Sequence, residues 1–321
     1  MIQSAYDPFT TGPFLVEAQR LEARDPRRDR VFQCEAWYPA TNPGRAPLVI
    51  FSHHSGGNRR AATFLTTHLA THGYVVAGLD HSESFVPELK GKIGETAAER
   101  AARIEGIVGS RVPDVRFLID YLLAHAPLGL PALDPGRIGI VGHSAGGWTA
   151  LATPEFDERI RAVVALAPGG ASNPKPGILP ATLSFAWSRP PATLFLIAEQ
   201  DVFLPIQGMY ELYDRTPGSK QMVILRRADH LHFIDNVEEN HERTRATGFP
   251  PPADWIPHAM RPITELCSGE EARTFVRGLT LAHLDAVLNN HPEASRLLNT
   301  DLPDRLTEKS IDAFVGLRPR N

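Results

Sequence analysis

The stretch Ile138-Gly139-Ile140-Val141-Gly142-His143-Ser144-Ala145-Gly146-Gly147-Trp148-Thr149-Ala150 decides the reading of this chain. It opens as a short β-branched run and closes on small residues that suit the start of a helix. Between them Gly142-His143-Ser144-Ala145-Gly146 matches the pattern G-x-S-x-G. A serine raised on a sharp strand-to-helix turn sits in strained backbone. The residues two before and two after it must be small, or their side chains collide. Gly142 and Gly146 meet that requirement. The helix that follows aims free N–H groups and a partial positive charge at the serine oxygen, where an oxyanion would be stabilised. Ser144 is therefore the candidate nucleophile.

Working outward, residues 48–52, 74–79, 160–167, 193–198 and 220–225 are short apolar runs of the kind buried on both faces of a parallel sheet. Helical patterns separate them at 60–71, 95–107, 113–125 and 206–213, with Pro113 suited to a first helical turn. Strands alternating with helices predict a mostly parallel α/β sheet in one domain, with helices on both faces. Ahead of it, residues 14–21 and 30–37 flank the polar turn Asp25-Pro26-Arg27-Arg28-Asp29, which predicts an antiparallel hairpin. Residues 83–110 and 168–191 are less regular and are expected to wall a pocket. The tail, 240–321, reads as a helical extension. Phe275, Val276, Leu279 and Leu284 recur there at helical spacing, predicting a helix packed on the sheet.

The chain has 321 residues, 42% apolar and 22% charged, with a net charge of −4. That composition is globular, and it argues against a nucleic-acid partner because no basic stripe is present. Cys34 and Cys267 are far apart, with no metal-ligand spacing, and read as ordinary thiols. No apolar run approaches the roughly 20 residues that span a bilayer. The N-terminal residues lack a basic region followed by an apolar run, which predicts a cytoplasmic address. Oligomeric state is not legible.

A serine hydroxyl needs a base, and the base needs an orienting group. In an open α/β sheet, ligands gather beyond the carboxyl ends of the strands. The run 193–198 is followed by Glu199-Gln200-Asp201, which makes Asp201 the candidate acid, with Glu199 as rival. The run 220–225 leads to Asp229-His230-Leu231-His232, which makes His230 the candidate base, with His232 close behind. Asp229 adjoins His230, and neighbouring side chains diverge, so it is not expected to orient that ring. A metal pair at His230 and His232 lacks supporting ligands at usable spacing. The order Ser144, Asp201, His230 is that of the α/β-hydrolase arrangement.

With these residues in hand, the chain resembles the α/β-hydrolase fold. More closely it is similar to bacterial predicted dienelactone hydrolases and to relatives of platelet-activating-factor acetylhydrolase and cutinase. The features are Gly12-Pro13-Phe14, Trp37-Tyr38-Pro39, Phe51-Ser52-His53, the serine motif, Asp229-His230 and Arg111-Val112-Pro113-Asp114-Val115. The resemblance implies a serine hydrolase of small-molecule carboxylic esters that needs no cofactor and no metal. Amide, thioester or carbamate cleavage by the same residues stays open, as does a non-catalytic ligand binder. The resemblance also implies an oxyanion hole built from the N–H groups of Ala145 and Ser55. His54 stands where the family usually has glycine, and it could face the pocket. Dienelactone hydrolases proper use cysteine where this chain has Ser144. Acetylhydrolases take their acid from an earlier strand end, here Ala167-Pro168-Gly169-Gly170, so the acid placement is closer to cutinases. Trp148, Phe185 and Trp187 are candidate pocket residues.

Overall fold

The polar turn does close a hairpin. β1 (Val16–Asp25) pairs antiparallel with β2 (Arg30–Pro39). The computed structural model describes residues 6–41, 44–82, 94–125, 129–178 and 181–316. After the hairpin come β3 (Ala46–Ser52), α1 (Thr63–Thr71), β4 (Val75–Leu79), α2 (Ala97–Ala124), β5 (Leu133–His143) and α3 (Ala145–Ala152). Then follow β6 (Ile160–Leu166), β7 (Ala192–Ala198), α4 (Ile206–Arg215) and β8 (Lys220–Leu225). The remainder holds α5 (Val237–Thr247), α6 (Ile256–Ala259), α7 (Gly269–Leu288), α8 (Pro292–Arg296), α9 (Leu302–Glu308) and β9 (Ala313–Val315).

The strands form one sheet in the order β1-β2-β4-β3-β5-β6-β7-β8-β9. Pairing is parallel from β4 to β8 and antiparallel at β1–β2, β2–β4 and β8–β9. Successive side chains of a strand point to opposite faces. In β3, Leu48 and Ile50 join one core with Val115, Leu118, Ile119 and Leu122 of α2. Val49 and Phe51 join the other core with Leu65 and Leu69 of α1 and Phe275, Val276 and Leu279 of α7. The continuous apolar runs of the parallel strands are thus explained by helices covering both faces.

Three expectations need correction. Residues 95–107 and 113–125 are not two helices but one, α2, with Pro113 inside it. Proline in a helix interior costs about 3 kcal/mol in isolation. Tertiary contacts outweigh that here, because Arg111, Asp114 and Val115 flank Pro113 and are fully buried. At its start, Thr96 and Glu99 form a reciprocal capping box. The tail is not purely helical either. β9 adds an antiparallel edge strand to β8, too short to carry a period-two signal. The first helix, expected from residue 60, begins at Thr63. No helix among the described residues is long and apolar enough to cross a membrane. Residues 83–93 of the expected pocket wall lie outside the described residues.

Candidate active site

β5 runs into α3 through one residue. Ser144 sits at that junction with φ 58° and ψ −115°, a left-handed conformation that a non-glycine residue adopts only under constraint. The constraint is visible. Ser144 N–H donates to Leu166 O at 3.0 Å, and Ser144 O accepts from Gly169 N at 2.9 Å and Trp148 N at 3.0 Å. A Cβ on Gly142 would lie 2.0 Å from Gly146 O, and one on Gly146 would lie 1.9 Å from Ser52 O. Both glycines are therefore demanded by close backbone approach. As the first residue of α3, Ala145 has an N–H with no acceptor inside the helix.

β7 and β8 are parallel neighbours, so their carboxyl ends emerge side by side. Backbone bonds from Glu199 N to Leu225 O (3.0 Å) and from Gln200 N to Ala228 O (2.8 Å) tie the two following loops together. They bring His230 Nδ1 to 2.7 Å from Asp201 Oδ2, with both residues buried. Asp201 Oδ1 accepts Leu204 N at 2.9 Å, so the carboxylate also braces its own turn. The rival acid points elsewhere, since Glu199 Oε2 accepts Arg227 N at 3.0 Å. The rival base is occupied. His232 Nδ1 lies 2.8 Å from Asp229 Oδ1 and its Nε2 lies 3.1 Å from Cys267 O. Asp229 serves that second histidine and caps Leu231 N rather than touching the His230 ring. Burial works against its charge, yet His232 and His241 hold its carboxyl well below the usual range. Cys34 and Cys267 are both free and buried, and burial pushes each thiol up to about 12. Among the described residues, no three His, Cys, Asp or Glu side chains are grouped to hold a metal ion.

Ser144, Ala145, His230, Ser55 and His54 all line one cavity of about 460 Å³. Its walls are mostly apolar. Ile104 and Val108 come from α2, and Gly177, Ile178 and Ala181 come from the segment after β6. Trp148 lines it too, with its indole N–H bound to Thr182 O at 3.0 Å. Phe185 and Trp187 do not. Trp187 donates to Leu151 O at 3.1 Å within the core, and Phe185 stacks edge-on against it beneath the Arg215 guanidinium. A 3.6-period or turn pattern gives no means of telling such aromatics from pocket walls.

Sequence reasoning missed the other half of the cavity. Phe203 stacks on the His230 ring at 4.9 Å, and Phe249 packs edge-on against Phe203. Phe249, Pro250, Ala253 and Ile256, around the start of α6, close the far wall. Arg100 is the single charged residue lining the cavity among those described. The proline run at 250–252 was the available signal, since a rigid loop after a strand end often shapes a site.

Two further imidazoles lie beside the His230 ring. His143 lies 4.6 Å from the His230 ring and His54 lies 5.5 Å from His143. Burial, then His230 and Arg111, pull His54 down to about 4. Burial, then His230 and His54, hold His143 well below its usual value. Both are neutral near pH 7, so neither places a positive charge beside the His230 ring. His54 keeps an ordinary negative φ, and Gly56 takes the left-handed position of that turn with φ 74°. A histidine therefore fits where the family has glycine.

The chain is similar to several known ester hydrolases. The family model of platelet-activating factor acetylhydrolase, isoform II, matches residues 32–88. Platelet-activating factor acetylhydrolase from Cavia porcellus is 26% identical over 88% of this chain and 68% of its own length. That from Canis lupus familiaris is 24% identical over 61% of this chain and 50% of its own length. The chain thus spans about half the length of the dog relative. Cutinase est1 from Thermobifida alba is 22% identical over 71% of this chain and 66% of its own. The solved ferulic acid esterase from Streptomyces cinnamoneus superposes with a TM-score of 0.65 at 20% identity, covering 95% of this chain and 97% of that one. The chain has the α/β-hydrolase fold and resembles the platelet-activating factor acetylhydrolases and a cutinase.

Proposed function

We propose that this chain hydrolyses carboxylic esters through an acyl-enzyme formed on Ser144. The observation that carries this is the His230 Nδ1–Asp201 Oδ2 contact of 2.7 Å at the wall of a cavity that also holds a left-handed Ser144. Asp201 keeps the His230 proton on Nδ1, which leaves Nε2 to accept the Ser144 proton. Ser144 Oγ attacks the ester carbonyl. The oxyanion of the tetrahedral intermediate accepts hydrogen bonds from the N–H groups of Ala145 and Ser55. His230 then protonates the departing alcohol, activates water, and water releases the acid.

Relatives named as acetylhydrolase, cutinase and ferulic acid esterase support an ester over an amide. A mostly apolar cavity of about 460 Å³ supports a small-molecule ester with a short acyl or aryl group. Amide, thioester and carbamate bonds meet the same nucleophile and are separated by the substrates offered.

A panel of p-nitrophenyl esters of rising acyl length tests the proposal, with wild type, Ser144→Ala and a chelator-treated sample side by side. Wild type should hydrolyse the short esters fastest and be indifferent to chelator. Ser144→Ala should lose about 10⁴-fold or more in kcat. Near-native activity in pure Ser144→Ala, or loss of wild-type activity on chelation, would contradict it.

A further inference from the structure

The motif Arg111-Val112-Pro113-Asp114-Val115 has no role in the scheme above, yet Arg111 is the largest fully buried side chain described. We infer that Arg111 is the positioning residue of the oxyanion hole: its guanidinium pins the carbonyls of His53 and His54 so that the Ser55 N–H faces the Ser144 oxyanion. This inference rests on the esterase reading above.

The geometry is as follows. Arg111 Nη1 donates to His53 O at 2.8 Å, to Ser52 Oγ at 3.2 Å and to Thr149 Oγ1 of α3 at 3.4 Å. Its Nη2 reaches His54 O at 3.4 Å. One planar cation thus bridges the end of β3 to α3, the two segments that bear the proposed donors. The His54 carbonyl accepts twice more, from Gly57 N at 3.1 Å and His53 Nδ1 at 2.7 Å. The His53 tautomer follows from its other side, because His81 N–H donates to His53 Nε2 at 3.1 Å and leaves the proton on Nδ1. The His54–Ser55 peptide is trans, so its N–H is antiparallel to its C=O. Three donors fix the His54 carbonyl, and the Ser55 N–H must point the opposite way. Ser55 lines the cavity with Ser144 and Ala145.

The clamp is itself anchored. Three residues along α2, Asp114 holds His81 Nδ1 at 3.0 Å, Arg28 at 2.7 Å and Arg30 at 2.8 Å. His81 Nε2 in turn meets Ser52 Oγ at 3.0 Å. The N-terminal hairpin, α2 and the end of β3 are locked through these groups. The continuity of α2 through Pro113 is what places both Arg111 and Asp114 on the inward face.

Arg111→Lys tests this, because an ammonium keeps the charge but lacks the planar fork that spans two carbonyls. Losing one well-placed oxyanion donor lowers kcat by about 10²-fold. We expect a fall in kcat of that order with KM within about threefold, and an equal loss of affinity for a boronic acid that mimics the tetrahedral intermediate. Arg111→Ala should regain part of its kcat in added guanidinium at millimolar concentration, well below denaturing levels. A merely structural role would move the melting temperature without that parallel loss and without rescue. Unchanged kcat and boronate affinity in Arg111→Lys, or a rise in KM alone, would overturn the inference, as would failure of both variants to fold. Wild type and Ser144→Ala are assayed alongside. A wild type no faster than Ser144→Ala means the esterase reading and this inference fall together. A fast wild type matched by Arg111→Lys means this inference falls alone.

Discussion

Two serine–histidine–aspartate sets stand at the carboxyl ends of the strands, and access separates them. In the sealed set, Ser52 Oγ lies 3.0 Å from His81 Nε2, and His81 Nδ1 lies 3.0 Å from Asp114 Oδ2. Ser52 and Asp114 are 0% exposed and His81 is 1% exposed. In the open set, Ser144 and His230 line a cavity and Asp201 stands behind the ring. The sealed carboxylate is shared with two arginines, and the sealed hydroxyl is shared with Arg111. Linking three side chain types in order is therefore not enough to mark a nucleophile. On the proposed reading, what sets Ser144 apart is its left-handed backbone, the helix start beside it and the cavity it lines. The sealed set makes structure instead, and holds the loop that faces the open one.

Exchanging each carboxylate for its amide should separate the two roles most strongly. Asp201→Asn should fold normally and lose about 10⁴-fold in kcat, because the wrong His230 tautomer would be favoured. Asp114→Asn removes the common partner of Arg28, Arg30 and His81. Breaking such a buried ion pair costs about 3 kcal/mol or more, so its unfolding midpoint in urea should drop well below that of wild type. An Asp114→Asn protein of wild-type stability, or an Asp201→Asn protein of wild-type rate, would erase the distinction.

A smaller effect should appear in the dependence of stability on pH. Burial pulls His54 and His283 down to about 4, and His68 to about 3. An unfolded histidine titrates near 6.5. Between roughly pH 6.5 and 4 the unfolded chain therefore binds more protons than the folded one, and stability rises with pH across that window. The stabilisation is fully present above about 6.5 and is lost as pH falls through about 4. His241 has the opposite sign, since Asp229 raises it against the effect of burial, and it offsets part of the change. Melting temperature should fall from pH 7 to 4.5, and His54→Gln, in the wall of the same cavity as the open set, should flatten that fall slightly. A melting temperature that rose on acidification would contradict the neutral imidazoles around His230.

Much of this was legible because it is written locally. The glycines at 142 and 146 are spaced by the collision they avoid, so the serine turn could be read from five residues. Asp201 and His230 could be located because parallel strands deliver their following loops to one edge. The remainder depended on contacts distant in sequence. Nothing near Pro113 signals that α2 continues through it, since the partners that hold it lie on β3 and in the hairpin. Phe203 and Phe249 form a wall only once the segment before α6 folds across the cavity. Phe185 and Trp187 carry the same residue types as pocket walls, but Leu151 O and Arg215 draw them into the core. β9 has three residues, and its place beside β8 is set by the sheet edge rather than by its own pattern.

The most direct test of the central claim is covalent. An activated, accessible serine attacks the phosphorus of a fluorophosphonate and expels fluoride, and mass spectrometry locates the adduct. One phosphonate is expected per folded chain, on Ser144, lost in Ser144→Ala and retained in Ser52→Ala. Label on Ser52, or none on folded wild-type protein, would contradict it.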